Sequence, residues 1–102
     1  MEVLLATSMK DEGPYILEWL AYHKSVGFNK FIIFENDSSD FTDEILNQLC
    51  ELGEITYIKN SEPSNSPQMT SLKRCRTMEE YQQSDLILYF VSSWILILRI
   101  DF

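Results

Sequence analysis

Lys30-Phe31-Ile32-Ile33-Phe34 is a continuous apolar run without polar alternation, and it ends in six polar residues, Glu35-Asn36-Asp37-Ser38-Ser39-Asp40. A strand with one wet face alternates, whereas an unalternating one is covered on both faces, as central strands of parallel sheets are. The flanking residues supply the covers. Upstream, Pro14 suits a first helical turn, and Tyr15, Trp19, Tyr22 and Val26, flanked by Ile16 and Leu20, recur at helical spacing until Gly27. This pattern predicts a helix over 14–26. Downstream, Ile45, Leu46, Leu49 and Leu52 form a second helical stripe that Gly53 ends, and either Asp40 or Thr42 can cap it.

Further out, Val3-Leu4-Leu5-Ala6 and Ile55-Thr56-Tyr57-Ile58 read as strands, so the first sixty residues run β-α-β-α-β. That order predicts an α/β, Rossmann-like fold, a mostly parallel sheet flanked by helices and joined by right-handed crossovers. Residues 60–67 read as a loop, and 69–83 as a polar helix carrying Lys73, Arg74 and Arg76 on a solvated face. The segment 86–98 is the most apolar and is uncharged, but Ser92-Ser93 interrupts it. It is shorter than the roughly 20 residues of a membrane-spanning helix, so it is expected to form one or two buried strands with an exposed sheet edge through which the chain self-associates.

With 102 residues, 45% hydrophobic and 24% charged, the chain suits one domain over 1–102. Sixteen acidic against eight basic residues leave a net charge of −8, which disfavours nucleic acid and anionic membrane surfaces as partners. Cys50 and Cys75 stand apart, without CxxC spacing, and read as free thiols of a reducing compartment. Met1 to Ser8 lacks a basic signal-peptide start. Together these predict a cytoplasmic protein beginning at Met1.

Open α/β sheets bind ligands beyond the carboxyl ends of their strands. Two polar loops fall there, 8–13 and 35–40, carrying Asp11, Glu12, Glu35, Asp37 and Asp40. Three glycines, none suitably spaced, exclude G-x-G-x-x-G and the P-loop. What remains is a set of carboxylates and amides able to hydrogen-bond a ribose or a base. His23, Trp19 and Tyr15, at helical spacing, are expected to be packing residues.

The stretch Lys10-Asp11-Glu12-Gly13-Pro14-Tyr15-Ile16-Leu17-Glu18-Trp19-Leu20-Ala21-Tyr22-His23 resembles the K-[ND]-E-x-x-Y-[IL]-x-E-W-[IL]-x-[YH]-H motif of a glycosyltransferase family related to family 2. Gly27-Phe28 and Phe31 to Asp40 resemble that family's G-[FV]-x-x-[FI]-x-[IV]-Y-[DE]-N-x-S-x-D segment. The resemblance covers about residues 3–60. It implies the nucleotide-binding half of a GT-A fold, transferring a hexosyl group from a nucleotide-sugar donor to a hydroxyl of a glycan or other acceptor. Glu35 would then approach the nucleoside, Asn36 and Asp37 would line the same pocket, and Lys10 and Glu12 would form its other wall.

The family's next strand leads into D-x-D-E-F, whose carboxylates hold a divalent metal, Mn or Mg, against the donor diphosphate. Two alignments compete here. If 84–90 is that strand, Val91-Ser92-Ser93 takes the metal position; if 93–98 is, Arg99-Ile100-Asp101-Phe102 does, leaving Asp101 as the metal residue. The second is preferred because Trp94 and Phe102 then find counterparts. No catalytic residue is assigned, and the chain is expected to be a truncated, amino-terminal part that is inactive alone. The alternatives are a non-catalytic nucleotide- or partner-binding α/β module and a flavodoxin-like or response-regulator-like module.

Overall fold

The structure, a computed structural model, describes residues 2–9, 13–35, 40–59, 74–91 and 94–100, with backbone alone at 14, 91 and 94–100. β1 spans Val3–Met9, followed by a 3-10 turn at Gly13–Tyr15 and α1 at Ile16–Ser25. Then come β2 at Lys30–Glu35, α2 at Thr42–Glu51, β3 at Thr56–Lys59, α3 at Glu79–Gln83, β4 at Leu86–Val91 and β5 at Trp94–Ile100. The sheet order is β3-β2-β1-β4-β5. The first four strands in this order are mutually parallel, and only β5 runs antiparallel, against β4.

The unalternating run in β2 now has its cause. Phe31 and Ile33 face one side of the sheet with Leu5, Met9 and Ile55, where Ile16 and Leu20 of α1 and Leu46 and Leu49 of α2 close over them. Ile32 and Phe34 face the other side with Leu4, Ala6, Ile87 and Tyr89, beneath Cys75 and Tyr81. Each such apolar side chain contributes about 1.5–3 kcal/mol when fully buried.

Both long helices stop at a glycine with positive φ, Gly27 at 119° and Gly53 at 78°. The following residues close the same ring in each: Phe28 N–H donates to His23 O at 3.1 Å, and Glu54 N–H to Leu49 O at 3.0 Å. An L side chain disfavours that backbone geometry, which is why these ends were legible. The Lys24–Glu54 ion pair links the two helix ends.

Three expectations need correction. The helix expected over 14–26 starts as a 3-10 turn and becomes α-helical only at Ile16. The helix expected over 69–83 is broken by a turn at Arg76 and Thr77 before α3, with Met78 extended; residues 69–73 lie outside the described residues. The third concerns the strand alignment. The strand that pairs with β1 in parallel is Leu86–Val91, whereas the run 94–98 lies in antiparallel β5. The apolar segment forms two strands, as expected, paired antiparallel, and in the first Ile87 and Tyr89 are buried while Leu86, Leu88 and Phe90 are half-buried.

Candidate functional site

Met9 and Glu35, the last residues of β1 and β2, are directly paired. The two polar loops therefore leave the sheet side by side, one strand spacing apart, about 4.8 Å. Lys10, Asp11, Glu12, Asn36, Asp37 and Asp101 lie outside the described residues, as do Ser38 and Ser39. Of the candidate binding residues, Glu35 is the one whose side chain is placed.

Glu35 is fully buried, on the sheet face that carries α1 and α2. The Tyr57 hydroxyl donates to its Oε2 at 3.4 Å. Burial, then the negative charges of Glu35 and Asp43, push the Tyr57 phenol up to about 12, so it remains a donor throughout the neutral range. In this geometry Glu35 anchors β2 against β3 and is shielded from solvent.

Asp40 joins the loops at their far ends. Its Oδ1 accepts from the Thr42 N–H at 2.8 Å and from the Thr42 hydroxyl, and its Oδ2 accepts from the Gly13 N–H at 3.2 Å. The Thr42 hydroxyl does most to hold its carboxyl below the usual carboxylate range; partial burial opposes this, and the N–H groups of Thr42 and Gly13 add to it. Neither Asp40 nor Thr42 is the N-cap of α2, which is Phe41, but the Asp40 carboxylate is engaged by the first residue of that helix. The bond to Gly13 was not legible, because a local sequence pattern carries no sign of a partner 27 residues away.

On the other flank, the Thr7 hydroxyl donates to Phe90 O at 3.1 Å, and the Ser8 and Tyr89 hydroxyls meet at 3.1 Å, fixing the end of β1 against β4. His23 is packed, as expected. Its Nδ1–H donates to Trp19 O at 2.7 Å, and its ring lies among Trp19, Tyr22, Phe28 and Phe90. Arg74 and Arg76 are exposed.

β4 ends at Val91 on the same sheet edge as Met9 and Glu35, and the next residues are Ser92 and Ser93, whose hydroxyls bind a hard dication weakly beside carboxylates. β5 runs back, so that Ile100 pairs with Leu86 at the opposite edge. Among the described residues no three His, Cys, Asp or Glu side chains converge to hold a cation.

The profile of Glycosyltransferase family 92 matches residues 9–101. The chain belongs to that family. A family 92 protein of Ricinus communis is 28% identical over 50 residues, 49% of this chain and 9% of its own length. A second, from Oryza sativa subsp. japonica, is 29% identical over 45 residues, 44% of this chain and 8% of its own. Each match thus spans less than a tenth of the curated relative's length.

Crystal structures of S. aureus TarS 1-349, alone and in complex with UDP, each superpose with a TM-score of 0.63 at 15% identity, over 88% of this chain and 27% of theirs. At that identity the likeness establishes the α/β fold. The expected relation to glycosyltransferases holds, and the family is 92; the matches carry neither the relation to family 2 nor the particular motifs. Among the described residues, no helix of this family 92 chain is long and apolar enough to cross a membrane.

Proposed function

We propose that this family 92 chain is the nucleotide-binding part of a GT-A-type glycosyltransferase, related in its motifs to family 2. It holds a nucleotide sugar beyond the carboxyl ends of β1 and β2, and the whole protein transfers the sugar to an acceptor hydroxyl. The observation that carries this is the pairing of Met9 with Glu35, which sets the two motif loops side by side at the edge where parallel α/β sheets take their ligands. The UDP complex of TarS, a protein of like fold, supports a uridine nucleotide as the first to try.

Binding and transfer separate in this chain. Contacts to base and ribose come from loops near β1 and β2, whereas a departing diphosphate needs its charge neutralised by groups placed at the leaving oxygen. Where the family's carboxylates would follow the fourth strand, this sequence has Val91-Ser92-Ser93. Titration calorimetry with UDP and GDP, with and without manganese, should show saturable binding that the corresponding sugar nucleotide competes, and no sugar-nucleotide turnover. Absence of binding to either nucleotide at millimolar concentration overturns the nucleotide assignment, and turnover by these 102 residues overturns the separation.

A further inference from the structure

The stripe that marks α1 in the sequence is not the stripe the core uses. Ile16 and Leu20 are buried against the sheet, whereas Tyr15, Tyr22 and Val26 are 63%, 62% and 56% exposed and Trp19 is half-buried. Tyr15 and Val26 cap the two ends of α1, so the stripe runs its whole length. Its spacing is 4, 3 and 4 residues, the narrow repeat with which one helix meets another. We propose that α1 is a dimerisation helix: the seam of Tyr15, Trp19, Tyr22 and Val26 packs against the same seam of a second copy of this chain, antiparallel about a two-fold axis.

Charge singles out this face for an approach between copies. The chain carries −8 overall, yet residues 15–26 hold one full charge of each sign, Glu18 and Lys24, and Lys24 lies on the other side of the helix, paired with Glu54. Beside the seam, His23 meets Phe90 edge to face at 5.5 Å between ring centres, Phe28 lies 6.3 Å from the same ring, and β4, which carries Phe90, is uncharged. Copies that repel elsewhere meet least opposition here. Side-chain size selects the register. A parallel pair sets Trp19 on Trp19 and Val26 on Val26, crowding one layer and thinning another. An antiparallel pair sets Tyr15 on Val26 of the second copy and Trp19 on its Tyr22, so large meets small at both ends and the assembly closes at two. Taking about 200 Å² for a whole aromatic side chain, Tyr15, Tyr22 and Val26 leave roughly 300 Å² per copy in water. With half-buried Trp19, Phe28 and Phe90 at the margin, two copies bury on the order of 1,000 Å², the small end of specific interfaces.

Sedimentation velocity on the 102-residue chain, from about 5 to about 500 micromolar, should show a reversible monomer–dimer equilibrium with a dissociation constant on the order of 10–100 micromolar. Tyr15→Ser and Tyr22→Ser, both at exposed positions, should each weaken it about tenfold. Leu17→Ser is the control, because Leu17 is equally exposed but lies on the other side of α1, and it should dimerise as wild type. Val26→Tyr alone crowds Tyr15 of the second copy and should weaken dimerisation about tenfold. The exchange variant, Val26→Tyr with Tyr15→Val, restores large against small and should return to within about threefold of wild type.

A chain that stays monomeric at the highest concentration overturns the proposal. So does a dimer that Tyr22→Ser leaves unchanged, which moves the contact elsewhere, such as the outer edge of β5, and so does an equal loss from Leu17→Ser. An exchange variant that dimerises no better than Val26→Tyr alone overturns the antiparallel seam. Circular dichroism verifies the fold of each variant. Should Tyr22→Ser fail to fold, Tyr15→Ser decides alone: tenfold weakening supports the seam and wild-type affinity overturns it. None of these outcomes depends on nucleotide binding, so the seam and the function proposed above stand or fall separately.

Discussion

The Tyr57 hydroxyl donates to Glu35 Oε2 at 3.4 Å, from β3 to the final residue of β2, and so gives a fully buried carboxylate a partner from the neighbouring strand. An acidic side chain at a sheet's ligand-binding edge is thereby held beneath the helical layer.

Replacing Tyr57 with Phe should cost about 1.5 kcal/mol, the lower end for a hydrogen bond to a charged group. It should also change the alkaline limb of stability. The phenol is raised from its ordinary 10 to about 12 by burial first and by the charges of Glu35 and Asp43 next. The folded state therefore binds the proton more tightly than the unfolded state, and the stability this gives is complete below about pH 10 and lost as pH rises through 12. Thermal melts across that window should fall more steeply for wild type than for Tyr57→Phe, and equal slopes would show that the phenol is not buried beside these charges.

Cys75 is fully buried, and burial, followed by the charge of Glu80, pushes its thiol up to about 11 against a smaller opposing effect of Arg76. Cys50 is exposed. Iodoacetamide under native conditions should label Cys50 within minutes and leave Cys75 unmodified, and both should label in denaturant. Mass spectrometry reads the sites directly, and prompt native labelling of Cys75 would contradict the packing of Cys75 against β4.

Leu46 is fully buried between α2 and the sheet face of Leu5 and Ile33. Leu46→Ala should cost about 2–5 kcal/mol, a large share of the roughly 5–15 kcal/mol that domains of this size possess. Urea unfolding should show the lowered midpoint; a loss below 1 kcal/mol would mean that α2 does not seat here.

Gly53 has φ 78°, and a Cβ there would meet nothing within 4 Å. Gly53→Ala should therefore cost about 1 kcal/mol through backbone conformation alone. A neutral result in thermal melts would show that α2 ends without a left-handed residue.

What the chain order alone determined is local. The unalternating run at Phe31 to Phe34 required two apolar covers, the stripes of 14–26 and 45–52 supplied them, and Gly27 and Gly53 marked where each helix turns back. Such signals persist because burial period and left-handed backbone are properties of neighbouring residues. Pairing partners are not. Which of the apolar runs 86–91 and 94–98 lies beside β1 could not be read from their composition, and only the assembled sheet placed Leu86–Val91 there, sending Trp94–Ile100 back along its edge. The same holds at the candidate site. Glu35 was legible as an acidic strand end, but its burial under Tyr57 depends on β3 being next in the sheet, and the bond of Asp40 to Gly13 depends on the crossover that brings α2 beside the 3-10 turn. Hydrogen bonds act over about 3 Å and are indifferent to chain separation, so contacts between distant residues are settled only when packing has fixed where each segment lies.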